Sequence, residues 1–412
     1  ACACTAALLL AGCDRGQPAA PSKPAIAPEE RQLGPRARLG KQLFFDPALS
    51  GSGRLSCASC HDPAHAYAPA NGLAVQLGGA ALDTPGTRAV PSLMYKRYVG
   101  AYSDQYQNPD SASPPGPGGG FTWDGRADSL AAQAEIPLLA ANEMANPDRA
   151  ALAAKLAQAP YAEQFRAVFG AKVFDDAQNA VAAAGAALQS FQKEDRSFHP
   201  FSSKFDLYRA NKQGGTLSPQ EQRGLLLYMD PNKGNCNACH LIGAGNGGSQ
   251  DISSDYSFEA IGVPRNRDIP ANADPAYYDL GLCGPLREDH RPASPGARSA
   301  YCGLFKTPIL RNAATRQVFM DNGVFKSLRD VLRFYATRDS RPELWYPKDA
   351  KGRVQKFDDL PPVYRGNLDR QKPLDLRKAG AAPALSDAEI DDLLAFLDTL
   401  TDAAFAQNGG AH

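Results

Sequence analysis

The pattern Cys-x-x-Cys-His occurs twice in this chain, at Cys57–His61 and again at Cys236–His240. A lone Cys-x-x-Cys is also found in disulfides, in redox dithiols and in halves of zinc sites. The His directly after the second Cys indicates covalent haem c, in which two thiols form thioethers and the imidazole binds the iron. The two copies predict two haems, so the chain has to fold around two large cofactors.

The composition is that of an ordinary globular protein. The chain has 412 residues, of which 43% are hydrophobic and 21% charged, and its 44 Lys and Arg are balanced by 44 Asp and Glu. This length allows two or three domains, and the balanced charge argues against a nucleic-acid partner. The 37 Gly and 33 Pro predict long irregular loops rather than extended sheets.

Residues 1–35 are predicted to be a leader remnant followed by a flexible tether. The apolar start is too short to span a bilayer, and Leu10–Cys13 resembles a bacterial lipobox in which Cys13 becomes lipidated. The charged beginning of a signal is missing, so a disordered remnant is the alternative. Haem c attachment takes place outside the cytoplasm. We therefore expect a periplasmic protein with a membrane tether through Cys13.

The remaining cysteines predict one disulfide. Of the nine cysteines, four belong to the haem motifs and three, Cys2, Cys4 and Cys13, belong to the leader. Cys283 and Cys302 are left over, and neither has the adjacent His or second Cys of a metal site. In an oxidising compartment they are expected to close the Pro-rich loop between them.

Each haem motif follows a helix and a turn. Residues 36–45 show helical apolar spacing, and Ser218–Glu221 forms a capping box with Pro219 at the first helical position. Residues 150–169 and 177–191 are Ala-rich and predicted helical, and Ser386 opens a last helix. These signals predict an all-α fold of two cytochrome c-like haem domains with long irregular loops.

The domain boundary is predicted between Lys204 and Gly215. The N-terminal haem c domain then covers residues 36–205. The C-terminal haem c domain covers residues 206–403, and residues 404–412 form a tail.

Three further motifs occur in order around the haem motifs: Leu43–Pro47, Phe121–Ala127 and Leu304–Asn312. Together with the haem motifs they resemble the bacterial dihaem cytochrome c peroxidase and MauG family over residues 34–401. The resemblance implies two haem c groups in two domains, with a tryptophan between them that carries electrons. Trp123 falls at that position; a large core aromatic is the structural alternative.

The resemblance also assigns the peroxide side of the first haem. In the peroxidases a His from the loop after the first haem motif can bind this iron, but residues 76–83 contain no His. His65 is the nearest imidazole and is expected to be a surface or second-shell residue. The first haem is therefore expected to be five-coordinate. Glu143 falls at the family's distal glutamate, the general acid/base, with Gln133 and Pro137 at neighbouring pocket positions.

The sixth ligand of the second haem separates the branches of the family, because peroxidases use Met and MauG uses Tyr. Tyr335 falls at that ligand position, and Met320 is the rival ligand. A core Tyr is the structural alternative, since Tyr335 shares a helical face with Leu328, Val331 and Leu332. The expected iron ligands are thus His61 for the first haem, and His240 and Tyr335 for the second.

The family also places a calcium ion between its haems, bound by an Asn side chain and two backbone carbonyls. The Asn position is Ala89 in this chain, and the carbonyl positions are Arg316 and Val318 instead of the usual Thr and Pro. Backbone carbonyls are present whatever the side chain. Calcium is therefore a weakened expectation that the sequence does not exclude.

Within the family, residues 190–195, the loop from Cys283 to Cys302 and the leader resemble the MbnH group. That resemblance implies that hydrogen peroxide drives a high-valent dihaem state, which oxidises a tryptophan on a copper-binding partner protein to kynurenine by long-range electron transfer. Two alternatives remain open. One is a peroxidase that takes electrons from a small cytochrome, and the other is a non-catalytic dihaem electron carrier.

Overall fold

The computed structural model describes residues 33–110, 113–243, 251–294 and 296–406. The predicted lipobox, Cys2, Cys4 and Cys13, nearly all of the tether and residues 407–412 of the tail lie outside the described residues. From Leu33 onward the described residues form one compact unit. No described helix is both long enough and apolar enough to cross a membrane.

Helices dominate the described residues. The α-helices are α1 (Pro35–Phe45), α2 (Cys57–Cys60), α3 (Leu130–Leu139), α4 (Arg149–Gln158), α5 (Ala162–Phe169), α6 (Ala177–Glu194), α7 (Lys204–Arg209), α8 (Pro219–Met229), α9 (Leu328–Thr337) and α10 (Asp387–Asp398). The Ala-rich stretch predicted as one helix over 150–169 is two helices, α4 and α5. Pro160 lies between them, and a proline at this point disfavours one continuous helix because it lacks the N–H and clashes with the preceding turn.

Short strands form three two-stranded antiparallel sheets. They are β1 (Leu77–Gly78) with β2 (Thr84–Pro85), β3 (Ser103–Tyr106) with β4 (Gly116–Gly118), and β5 (Phe258–Glu259) with β6 (Phe305–Lys306). The all-α prediction is therefore confirmed only in its coarser form, a helix-rich fold. The three small sheets form because the N–H and C=O groups of buried loop backbone need hydrogen-bond partners. Antiparallel pairing between two loop segments supplies these partners.

The structure confirms the helix starts predicted at Ser218 and Ser386. Ser218 accepts a hydrogen bond from the Glu221 amide at the start of α8, with Pro219 as the first helical residue. Ser386 caps α10 in the same way, through the amide of Glu389. Such a box satisfies two backbone donors that the first turn of a helix leaves unpaired.

The helix before each haem motif packs closely against a second helix through a glycine. A Cβ on Gly40 of α1 would lie 2.0 Å from the backbone carbonyl oxygen of Ala187 on α6. A Cβ on Gly224 of α8 would lie 2.0 Å from the carbonyl oxygen of Asp392 on α10. The two halves of the chain thus use the same device to fix the helix that leads into the haem motif.

Two large apolar clusters form the interior. The first is built mainly from residues 39–198, and the second from residues 205–400. The two parts are linked at Asp402, which is fully buried and accepts hydrogen bonds from the Tyr95 hydroxyl at 2.6 Å and the Asn312 amide at 2.8 Å. The domain boundary at residues 204–215 stays a prediction.

The Pro-rich loop after the second haem motif is closed by a disulfide. Cys283 and Cys302 are both buried and are bonded to each other, with their Cα atoms 4.9 Å apart. The bond joins the two ends of the loop next to β6, where Gly281 pairs with Leu304.

Candidate active site

The first haem motif is a single helical turn at the edge of a cavity. Ser56 caps α2 together with Ser59, and the amide of His61 donates to the carbonyl of Cys57 at 2.9 Å. The thiols of Cys57 and Cys60 are free and half-buried. The turn therefore places two unoxidised thiols and an imidazole at one cavity.

The imidazole of His61 is oriented as a metal ligand requires. Its Nδ1 lies 3.1 Å from the carbonyl oxygen of Tyr67. Burial, together with the nearby charges of Arg316 and Lys96, lowers the pKa of His61 to about 4. A neutral imidazole whose Nδ1–H donates to a carbonyl keeps Nε2 free for a metal.

Glu143, Gln133 and Pro137 line the first cavity together with Cys57, Cys60 and His61. Gln133 and Pro137 lie one turn apart on α3, so they share a face. The Glu143 side chain is accessible from the cavity, yet it lies deep enough for burial to raise its pKa, an effect that the charge of Arg126 opposes. The structure thus brings the predicted distal residues and the first haem motif together.

The backbone around Glu143 is fixed by the β1–β2 hairpin. The Gly79 amide donates to the carbonyl of Glu143 at 2.8 Å, and a Cβ on Gly78 would lie 2.3 Å from the carbonyl oxygen of Asn142. The residues that the sequence offered as a His-free loop therefore form one wall of the cavity. Gly78 has to be glycine here because no side chain fits between the two backbones.

His65 does not reach this cavity. Its Nδ1 lies 2.9 Å from a carboxylate oxygen of Asp62, and its side chain is one-third exposed. Among the described residues that line the first cavity, His61 is the sole imidazole.

The second haem motif lies at a second cavity. The His240 amide donates to the Cys236 carbonyl at 2.8 Å, and His240 Nδ1 lies 3.3 Å from the carbonyl oxygen of Ser253. The hydroxyl of Tyr228 donates to the His240 carbonyl. Burial lowers the pKa of His240, so this imidazole is also neutral. The thiols of Cys236 and Cys239 are free.

Tyr335 and its rival Met320 both line the second cavity. Tyr335 comes from α9, whose Leu328, Val331 and Leu332 line the same cavity, so the predicted helical face is confirmed. Burial raises the pKa of the Tyr335 hydroxyl, and the nearby thiols of Cys239 and Cys236 add to the effect. The choice between the two ligands stays a prediction.

Trp123 lies between the cavities. It belongs to a group of residues that line both, here called the shared wall: Pro91, Lys96, Trp123, Lys306, Thr307, Pro308 and Ile309. The indole Nε1 of Trp123 donates to the carbonyl of Ala89 at 2.8 Å, and the Trp123 carbonyl accepts from the Lys306 amide at 2.9 Å. Both ends of the residue are thus held in place.

The next residue anchors this turn. Asp124 is fully buried and accepts hydrogen bonds from Arg88 at 2.7 Å and Arg126 at 2.9 Å. Burial alone would raise the pKa of Asp124, but the charges of Arg88 and Arg126 outweigh it and bring the pKa down to about 2. The carboxylate therefore stays ionised and fixes the turn that carries Trp123.

The sequence does not identify two lysines of the shared wall, Lys96 and Lys306, as site residues. Lys306 donates to the carbonyl of Gly120, and burial lowers the pKa of Lys96 to about 8 with a further contribution from Arg316. Lys306 lies inside one of the family motifs, but its position in the wall depends on the β5–β6 pairing. No local pattern marks Lys96, because its role comes from distant parts of the chain.

The residues fit haem c at both cavities. Each cavity offers two free thiols, a neutral imidazole with a bonded Nδ1 and a largely apolar lining, and the shared wall offers positive charge for haem carboxylates. The calcium position lacks the ligands that the family supplies. Ala89 has no side-chain oxygen, and the Val318 carbonyl accepts from Arg316.

Comparison with known proteins agrees with this geometry. Residues 35–214 match the di-haem cytochrome c peroxidase family. The methylamine utilization protein MauG of Paracoccus denitrificans is 34% identical over 414 residues, which cover 98% of this chain and 96% of that protein.

Solved structures give the same result. The diheme peroxidase BthA of Burkholderia thailandensis superposes with a TM-score of 0.78 and 39% identity, covering 91% of this chain and 89% of that one. A MauG-like protein associated with microbial copper homeostasis shares the fold, with a TM-score of 0.61, 23% identity and coverage of 95% and 96%. The chain therefore belongs to the dihaem cytochrome c peroxidase and MauG family of peroxide-dependent oxidoreductases.

Proposed function

We propose that this protein is a MauG-type enzyme that reacts with hydrogen peroxide at the His61 haem and removes electrons from a residue of a partner protein. The observation that carries the proposal is the lining of the first cavity, which includes the Glu143 carboxyl group and, among the described residues, no imidazole besides His61. When bound at the two motifs, the haems supply the redox chemistry of peroxide reduction.

Glu143 is the proposed general acid/base. A carboxyl group that faces the cavity and has a raised pKa can accept the proton of the oxygen nearer the iron and return it to the leaving oxygen. The Gln133 amide is proposed to hold peroxide by hydrogen bonding. Pro137, which has no N–H, is proposed to shape the pocket beside it.

Trp123 and Tyr335 are proposed to serve the second part of the reaction. Trp123 lines both cavities and is held at both ends, which suits an electron relay between the His61 and His240 haems. Tyr335 is proposed as the sixth ligand of the second iron. A hard phenolate oxygen stabilises oxidised iron better than the thioether of Met320 does.

The proposed substrate is a protein that stays outside the cavities. Electrons cross the chain, so a large partner need not enter. In its most specific form the proposal is oxidation of a tryptophan to kynurenine on a copper-binding partner in the periplasm, with this protein tethered through a lipidated Cys13. Its support is the MbnH resemblance and the shared fold of the copper-homeostasis protein.

A cytochrome-fed peroxidase is the second candidate. It is favoured by the 39% identity to a protein described as a diheme peroxidase, against 23% for the copper-associated protein. In this case the protein would reduce peroxide with electrons from a small cytochrome and leave partner proteins unmodified.

The deciding experiment adds hydrogen peroxide to the dihaem protein with each candidate partner encoded beside it, and follows the partner by mass spectrometry. We expect a peroxide-dependent mass change at a tryptophan. Trp123→Phe should slow the change at least about tenfold, because the relay is lost. Trp345→Phe, which alters the chain's other tryptophan outside the shared wall, is the matched control and should react normally.

Rapid peroxide turnover with a reduced small cytochrome, and no modified partner, would establish the second candidate instead. Equal rates for Trp123→Phe and the wild type would remove Trp123 from the pathway. Two six-coordinate low-spin irons that do not react with peroxide would indicate an electron carrier.

A further inference from the structure

The cation position implied by the family resemblance lacks its side-chain ligand in this chain. Ala89 offers a methyl group where the family has an amide oxygen. Its backbone groups are also engaged, because the Ala89 amide donates to the Asp321 carbonyl at 2.7 Å and its carbonyl accepts from Trp123 Nε1 at 2.8 Å. The position therefore holds the relay tryptophan in place and supplies no side-chain oxygen to a metal ion.

The guanidinium of Arg316 takes up the neighbouring carbonyls. Its Nε donates to the carbonyl of Val318 at 3.3 Å, and its Nη2 donates to the carbonyl of Val90 at 3.0 Å. Calcium needs about six to eight oxygen ligands, and Val318 is one of the two carbonyl positions left to supply them. A guanidinium bound to that carbonyl also repels a divalent cation from the same place.

No carboxylate of the described residues balances this charge. The described hydrogen bonds of Arg316 go to peptide carbonyls, and neither Arg316 nor Lys96 forms an ion pair with a described Asp or Glu. Burial lowers the pKa of Arg316 to about 10, so its guanidinium stays charged at neutral pH. Both side chains are half-buried, and cations in such surroundings are usually paired, so this pair is available to an anion from elsewhere.

We propose that Arg316 replaces the calcium ion, and that its guanidinium and the Lys96 ammonium act as a fixed double positive charge beside the shared wall. Two monovalent groups carry the charge of one divalent ion. The anions available to them are haem propionates, the carboxylates at the edge of every haem c. A cation on a side chain cannot dissociate, so the dihaem centre works without calcium. The proposal holds whichever substrate the enzyme oxidises.

The first test is metal analysis of the dihaem protein, followed by its absorption and electron paramagnetic resonance spectra before and after a calcium chelator. We expect far less than one calcium ion per protein and identical spectra. About one tightly bound calcium ion per protein, or a spectral change that added calcium reverses, would overturn the proposal.

The second test restores the family ligands. The double variant Ala89→Asn with Arg316→Thr should bind about one calcium ion and give spectra that a chelator alters. Arg353→Thr, which removes an exposed arginine that pairs with Asp349, is the matched control and should stay calcium-free.

The single variant Arg316→Gln keeps a hydrogen-bonding side chain and removes the charge. Both haem reduction potentials should fall, because a nearby positive charge favours the reduced iron. Unchanged potentials would refute the role of the charge even if the protein is free of calcium. This measurement and the metal content of the wild type decide the question if the double variant does not fold.

Discussion

Glu143 illustrates how one residue gains its chemistry from its surroundings. In the sequence it resembles any solvated carboxylate at a helix end, and only the family resemblance singled it out. In the structure its backbone is fixed by the β1–β2 hairpin and its side chain faces the cavity of the first haem motif. Burial then raises its pKa above the ordinary 4.5, closer to the working range of a general base.

Glu143→Gln should lower the rate of reaction with hydrogen peroxide by about 100-fold to 10,000-fold, because an amide cannot accept the peroxide proton. In the wild type the base works only when deprotonated. Its rate should therefore fall as the pH is lowered through the raised pKa of Glu143. Stopped-flow absorption across a pH series measures both effects.

Glu135→Gln is the control for this prediction. Glu135 lies on the same helix, α3, but pairs with Arg149 and does not line the cavity. It should keep the wild-type rate and pH profile. A Glu143→Gln protein that keeps both as well would show that another group moves the proton.

Residues differ in how far the sequence could identify them. The haem motifs are visible in the sequence because covalent attachment needs two thiols and an imidazole within one short stretch, as at Cys57–His61. The sequence indicates Arg316 only through its backbone carbonyl, whereas the structure shows hydrogen bonds of its guanidinium. That guanidinium bonds to Val90, 226 residues away, and a contact at this separation leaves no local signal.

At the scale of an element, the apolar face of α9 forms one side of the second cavity. Leu328, Val331, Leu332 and Tyr335 fall on one face, and all four line the second cavity. The periodicity alone was compatible with an ordinary core helix. The structure shows that this face lines the same cavity as His240, which the periodicity alone does not indicate.

Tyr335→Phe should change the low-spin spectrum of the second haem, because phenylalanine has no oxygen to bind iron. Met320→Leu should leave that spectrum as in the wild type. Electron paramagnetic resonance of the oxidised protein measures this, with Tyr364→Phe, a buried tyrosine away from the cavity, as the control. The reverse pattern, with Met320→Leu altered and Tyr335→Phe unaffected, would assign the ligand to Met320.

Element boundaries were predictable where local chemistry sets them, as with the capping boxes at Ser218 and Ser386. Pro160 also marks the break between α4 and α5 in the sequence, although the Ala-rich composition predicts helix on both sides of it. The small sheets were not predictable. β5 and β6 lie about 45 residues apart, and their pairing serves backbone hydrogen bonding rather than any alternation of side chains.

At the scale of the whole molecule, the two halves repeat one plan. In each, a helix packs through a glycine onto a second helix and leads into a haem motif. The repeat was visible in the sequence as two similar upstream segments. The glycine contacts were not, because they depend on which helix becomes the neighbour.

Gly40→Ala and Gly224→Ala should each lower the free energy of unfolding by at least about 2 kcal/mol, since a methyl group would collide with the backbone of the facing helix. Urea unfolding followed by circular dichroism measures the loss. Hydrogen exchange with mass spectrometry should place it in the half that carries the variant. Gly366→Ala, where a Cβ meets nothing within 4 Å, is the control.

An equal loss of protection from hydrogen exchange in both halves would mean that the chain unfolds as one unit. The boundary predicted at residues 204–215 would then not separate two independently unfolding domains. The buried link at Asp402 is the contact that would couple the halves in that case.

The hydrogen bond from the Trp123 indole to the Ala89 carbonyl has a consequence for the proposed relay. A peptide carbonyl is too weak a base to take the indole proton, and the Ala89 carbonyl is the described hydrogen-bond acceptor of Trp123 Nε1. An electron leaving Trp123 would therefore leave the proton behind. Transfer between the haems would then run at the same speed in heavy water as in ordinary water.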